Sequence, residues 1–276
     1  MSPIHDQSYR RYTGTRLPVG RSWSVIASHG IKTMLAKRAF LGLMIFAWIP
    51  FIVRCVQLYF AENVPQTAAI LGVDAKMFRD FLNQQGAFVF FTTIYVGAGL
   101  IALDRRANAL QIYLSKPLLR MEYVGGKLLV LVTFLLSVTL LPAFLLILMQ
   151  VAFSGSTDFI WKNLFVVPAV VLASLIQVIV ASFTMLALSS LSKSSRYVAL
   201  LYTGAIFFTE AMFNTLRVIT GSTRVAWVSI TANLNQVVDV IFRLPAKYET
   251  PVVVSVLVLL ALGPCPSPCS SGASRA

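Results

Sequence analysis

Long apolar runs broken by short polar stretches are the first feature of this chain, and their spacing predicts its elements. A hydrocarbon layer of about 30 Å is crossed by roughly 20 apolar residues in helix. Residues 39–60, 86–103, 128–153, 164–188 and 198–219 meet that requirement. Pro50 and Pro142 fall inside two of these runs and predict kinks, because proline lacks the N–H that the helix ladder needs. Gly97 and Gly99 predict close helix contact at the end of the second run. A sixth run, residues 251–262, reaches only about 18 Å at 1.5 Å per residue, so it reads as a short or truncated span. The expected fold class is an all-α polytopic membrane protein with five full spans and an incomplete sixth.

The polar stretches carry patterns of their own. Residues 1–38 are basic, with no apolar core beside a small-residue cleavage site, so the amino terminus is expected to stay in the cytoplasm. Within them Trp23, Ala27, Ile31, Met34 and Leu35 share one helical face, while Ser24, Ser28, Lys32 and Lys37 lie largely elsewhere. That pattern predicts an interfacial amphipathic helix feeding the first span; a basic tail with a frayed helix is the plainer reading. Between the second and third runs, residues 104–127 hold Arg105, Arg106, Lys116, Arg120 and Lys127, which marks this loop as cytoplasmic. Leu110, Tyr113 and Leu114 fall at helical spacing until Pro117 ends the pattern. A short helix is expected over residues 118–123, with Gly125 and Gly126 freeing the backbone before the next span. The loop reads as a bent, basic element displayed under the membrane, suited to docking a soluble partner.

On the opposite side, Met77, Phe78, Phe81 and Leu82 predict a small amphipathic turn of helix in an outer loop. Residues 225–242 look apolar, but Asn233, Asn235, Gln236 and Asp239 make them a poor lipid-exposed span. A surface or re-entrant helix is expected there, with a full crossing as the alternative. Residues 263–276 change to Pro, Ser, Cys and Gly and read as a disordered, altered tail.

Composition agrees with this outline. With 57% hydrophobic residues, 12% charged residues and a mean hydropathy of +0.78, a water-soluble single-core protein is excluded. A net charge of +13 raises the question of nucleic acid. The basic residues gather beside the cytoplasmic ends of the spans, however, so topology and anionic headgroups account for them and no nucleic-acid partner is expected. His5 and His29 both lie in the amino-terminal region, and no HExxH, acidic pair or nucleophile elbow accompanies a span. GTRLPVGRS, residues 14–22, lacks the lysine and the spacing of a phosphate loop. No catalytic residue, metal or cofactor is therefore expected in this chain. Cys265 and Cys269 supply only two ligands, and Cys55 reads as a packing residue.

Two charges inside spans are more informative, because an ionisable group in hydrocarbon needs a partner or a function. Arg54 and Glu210 lie at depths that agree within about 5 Å. Three readings stand: an Arg54–Glu210 pair within or between chains, Arg54 snorkelling outward with Glu210 hydrogen-bonded separately, or direct contact with a substrate.

The stretches IYLSKPLLRMEYVGGKLL, residues 112–129, and LSSLSKSSRY, residues 188–197, with YRRY and RLP at residues 9–18 as weaker companions, resemble the permease subunit of type-2 ABC exporters. The order of elements up to about residue 262 is similar too. The resemblance implies the type-2 exporter permease fold and assigns the loop of residues 104–127 a coupling helix that contacts a separate ATPase. Asp104, Arg105, Arg106, Lys116 and Arg120 are then the expected polar contacts, with Tyr113, Pro117 and Tyr123 keeping the element stiff. For each arginine or lysine the plainer reading is headgroup contact. The implied partners are two copies of an ABC ATPase subunit, which bind ATP and magnesium, and a second permease copy, identical or related. The implied site is a bacterial inner membrane, with its lipids. The rival from another class is a non-transporting membrane scaffold that uses the same loop to recruit a soluble protein.

Overall fold

The computed structural model describes residues 22–63, 74–109, 120–154 and 163–262, and among these the chain is all-helical with no strand. Four helices are long and apolar enough to cross a membrane: Arg38–Asn63, Ala75–Arg106, Met121–Ser154 and Val166–Leu191. The chain is a membrane-embedded all-α protein.

In chain order, α1 is Ser22–Leu35. The first span joins α2 (Arg38–Ala47) to α3 (Ile49–Asn63). The second is α4 (Ala75–Thr92), a π turn (Thr93–Gly97) and α5 (Ala102–Arg106), and the third is α6 (Arg120–Val138) with α7 (Leu140–Ser154). Then come α8 (Val166–Leu191), α9 (Ser195–Thr220), a 3-10 turn (Arg224–Val228), α10 (Ile230–Ile241) and α11 (Val252–Leu262). α9 matches α8 in length, 26 residues each, but Glu210 and Asn214 interrupt its apolar run, which leaves it outside the four. α11 is a shorter apolar helix.

Both prolines act where they cost least. Trp48 separates α2 from α3, and Pro50 stands in the first turn of α3, where no ladder hydrogen bond is lost. Thr139 separates α6 from α7 just ahead of Pro142, and its hydroxyl donates to the Leu135 carbonyl at 2.9 Å.

Two expected boundaries differ. The turn of helix placed in an outer loop is the beginning of α4: Phe78, Phe81 and Leu82 are buried with Leu58 of α3, Leu146 of α7 and Ala169 of α8. The helix runs unbroken from Ala75 to Thr92, and Arg79 in its first turns finds a partner across the bundle in Asp239. Residues 118–123 and the glycines that follow do not form a separate short helix, since α6 runs unbroken from Arg120 through Gly125 and Gly126.

Gly126 is there for packing. A Cβ on it would lie 2.9 Å from the Trp23 carbonyl oxygen, and one on Gly30 would lie 2.6 Å from a Val130 methyl. These gaps let α1 lie lengthwise against α6, with Ala27 buried and Ile31 and Met34 packed on the same core. The amphipathic face of α1 is thus spent on α6, while Trp23 and Leu35 at its two ends stay exposed. Gly97 serves the same purpose for the second span, since its Cβ would fall 2.3 Å from Met185 of α8.

Candidate functional site

Chemistry-bearing residues collect at the two ends of the bundle and in one cavity between them. At the end where residues 104–127 emerge, Ser189 of α8 is fully buried and repairs a break in the second span. After the π turn, the amides of Ile101 and Ala102 both donate to the Ser189 hydroxyl at 3.2 Å, and that hydroxyl donates to the Ala98 carbonyl at 3.2 Å. Irregular backbone in a membrane protein persists only when its polar groups are satisfied in this way.

One turn further on, Asp104 accepts a hydrogen bond from the Tyr123 hydroxyl at 2.7 Å and pairs with Lys127 Nζ at 2.8 Å. Lys127 also lies 5.7 Å from the centre of the Tyr123 ring. Arg105 donates to the Ser190 carbonyl. The second span, α6 and α8 are therefore fastened together where the basic loop begins and ends. Asn108 closes the turn after α5 with φ 52, a left-handed conformation that asparagine tolerates. Arg106 points outward, exposed and without a partner among the described residues. Tyr113, Lys116 and Pro117 lie outside the described residues, and Arg120 is placed only as the first residue of α6.

At the opposite end, Arg79 Nε donates to Asp239 Oδ1 at 2.5 Å, and both side chains are below 10% exposed. Arg79 also lies 3.5 Å from Asp80. α10 turns its polar residues inward: Asn233, Gln236 and Asp239 are 0%, 2% and 4% exposed, whereas Val240 is 44% exposed. Asn233 Nδ2 donates to the Trp227 and Ser229 carbonyls at 2.8 Å, and Gln236 Nε2 donates to the carbonyls of Tyr248 and Thr250 at 3.2 and 3.1 Å. The Ser229 hydroxyl caps α10 by accepting the Ala232 amide, and donates to Glu210 at 2.6 Å. Burial first, then the carboxylates of Glu210 and Asp239, push the Tyr248 phenol above its ordinary range, partly offset by Arg79 and Arg217.

Next to this network, a cavity of about 250 Å³ opens between α4, α8, α9 and α10. Its polar lining includes Arg79, Gln177, Thr184, Tyr202 and Asn235. The Thr184 hydroxyl is buried and has no hydrogen-bond partner among the described residues. Among the described residues no three His, Cys, Asp or Glu side chains come together to hold a metal.

Arg54 and Glu210 do not meet within the chain. Arg54 donates to Gln57 on its own helix at 3.0 Å, and Glu210 accepts from Ser229. The buried ion pair is instead Arg79–Asp239, joining residues 160 positions apart. In the sequence Arg79 lies in a stretch that reads as an outer loop, and Asp239 in one that reads as a poor lipid-exposed span. The available signal was the spacing of Asn233, Gln236 and Asp239, which places all three on one face of a helix. No protein-family model and no curated protein matches the chain.

Proposed function

We propose that this chain is the membrane-spanning permease subunit of an ABC exporter, working as a dimer and driven by two ATPase subunits that dock on residues 104–127. The observation that carries this reading is the fastening of the basic loop. Asp104 holds Tyr123 and Lys127, and Arg105 holds the Ser190 carbonyl, so both ends of the loop are tied to the ends of three helices. A push on a loop held in this way moves helices, whereas a push on a slack linker is absorbed. Arg106 faces outward from the same fastening and is the described side chain best placed to meet an acidic groove on a partner.

Two further observations support the reading. The partly polar cavity between α4, α8, α9 and α10 offers a small cargo a place to bind, with the Arg79–Asp239 pair at its edge. The first span also leaves most of its surface uncovered. Only 11% of its apolar stretch is buried in the chain, against 50%, 56% and 50% in the other three. Half-buried Arg54 is on that span, and a guanidinium facing lipid is costly, so a second copy is the better cover.

The test is charge reversal at Arg106 and Arg120 together. The double variant is expected to insert normally and to lose both capture of a P-loop ATPase and transport-coupled stimulation of its hydrolysis. Normal assembly and stimulation in the variant removes the docking assignment. A soluble partner that binds the loop without any nucleotide-dependent effect points to the scaffold instead.

A further inference from the structure

A second cavity, of about 560 Å³, lies at the basic end of the bundle between α1, the π turn, α5, α6 and the first turn of α9. Its lining is mixed: Met34, Ile94, Leu100 and Ala199 supply apolar surface, and His29, Lys37 and Arg196 line it together with the Asp104–Lys127 pair. Because Lys127 is neutralised by Asp104, the uncompensated charges are those of Lys37 and Arg196. Lys37 touches the Met34 sulfur at 3.5 Å and lies 6.0 Å from the Tyr95 ring centre, neither of which cancels its charge. Arg196 is exposed and makes no ion pair among the described residues.

Two more features favour an anion. α9 starts at the rim, its Ser194 side chain does not cap it, and Ser195 and Arg196 line the cavity, so the positive end of a 26-residue helix faces the space. The position matters as well, since the cavity lies where the ends of the spans carry Arg105, Arg106 and Lys193, the level at which headgroups meet water.

We infer that this groove binds one anionic phospholipid, its phosphate between Lys37 and Arg196 at the start of α9 and its glycerol and upper acyl chain on the apolar surface of Met34, Ile94 and Ala199. Free phosphate would satisfy the charges but leave that surface unused. The site ties the docked helix α1 to α9 through the lipid, and it holds whatever the chain transports, because it depends only on membrane embedding.

The full chain, purified in mild detergent, is equilibrated with equal amounts of phosphatidylglycerol and phosphatidylcholine, and the retained lipid is read by native mass spectrometry. Two extra cationic contacts are expected to enrich phosphatidylglycerol about thirtyfold. Lys37→Gln with Arg196→Gln is expected to abolish the enrichment, and Ala199→Trp, which fills the groove without changing charge, is expected to do the same. Lys32→Gln with Lys193→Gln removes equal charge from exposed positions outside the groove and is expected to keep it. Enrichment that survives in the groove variants, or falls equally in the control, overturns the site. Displacement of the lipid by millimolar inorganic phosphate overturns the lipid assignment in favour of a plain anion site.

Discussion

Arg79 and Asp239 show how a charge is tolerated inside a helical bundle: each is below 10% exposed, and each is neutralised by the other across 160 positions of sequence. Removing Arg79 leaves Asp239 buried and uncompensated, which costs about 3–5 kcal/mol in comparable sites, and removing Asp239 leaves Arg79 only the longer contact to the half-buried Asp80. Arg79→Met and Asp239→Leu are each expected to lower the thermal unfolding midpoint in detergent sharply. The double variant is expected to regain most of the loss, because two apolar side chains of similar volume replace the pair. Two losses that simply add would show that the residues act apart. Tyr248, beside the same network, makes a pH prediction. Its phenol is held neutral beyond the ordinary tyrosine range by burial and by Glu210 and Asp239, so the folded state favours the protonated form more than the unfolded state does. That contribution is complete below the unfolded pKa and is lost as pH rises from there through the folded pKa. Tyr248→Phe should therefore flatten the fall in stability with alkaline pH, as read from unfolding midpoints of both proteins above pH about 10.

Among the elements, α1 and α6 separate packing glycines from spacing ones. A Cβ on Gly126 meets the Trp23 backbone carbonyl at 2.9 Å, and backbone cannot swing aside, whereas a Cβ on Gly125 meets nothing within 4 Å. Gly126→Val is expected to lift α1 from α6, raising hydrogen exchange across Ser22–Leu35 while the other helices keep their protection. Gly125→Ala is expected to leave that pattern unchanged and to stabilise α6 by about 0.5–1 kcal/mol. Equal effects of the two would deny the close approach. The same pair shows what sequence reading catches and what it misses. Hydrophobic run length located four spans, because lipid selects on length and apolarity over many residues at once. The partner of a single glycine or arginine depends on which helices become neighbours, and no local pattern near Gly126 or Arg79 carries that information. α10 is the intermediate case. Its polar residues read as making a poor lipid-exposed span, and the structure turns their face into the bundle, where backbone carbonyls at Trp227, Ser229, Tyr248 and Thr250 accept the amide groups of Asn233 and Gln236. In the basic loop, Asp104 and Tyr123 stand out in the sequence singly, and only the structure makes them partners of each other.

At the scale of the whole molecule, the contacts fix which ends of the helices share a side. Arg105 reaching the Ser190 carbonyl puts the end of the second span beside the end of α8, and Ser222 donating to Glu249 at 2.9 Å belongs to the opposite end, after α9 has run back through the bundle. α9 spans roughly 39 Å at 1.5 Å per residue, enough to separate Ser195 from Gly221 by a full bilayer core. The arrangement therefore predicts one side for Arg106 and Lys193 and the other for Ser222. Single cysteines at these three positions, in a chain whose own three cysteines are replaced, can be tested in intact cells with a membrane-impermeant maleimide. The proposed coupling to an internal ATPase requires that Ser222→Cys be labelled from outside and that Arg106→Cys and Lys193→Cys react only after the membrane is opened. Labelling of Arg106→Cys and Lys193→Cys from outside, with Ser222→Cys protected, would keep the fold and remove the transporter reading, because a loop on the outer face has no cellular ATPase to meet. Reaction of all three from one side would remove α9 as a crossing helix, and with it the path that places the polar cavity inside the membrane.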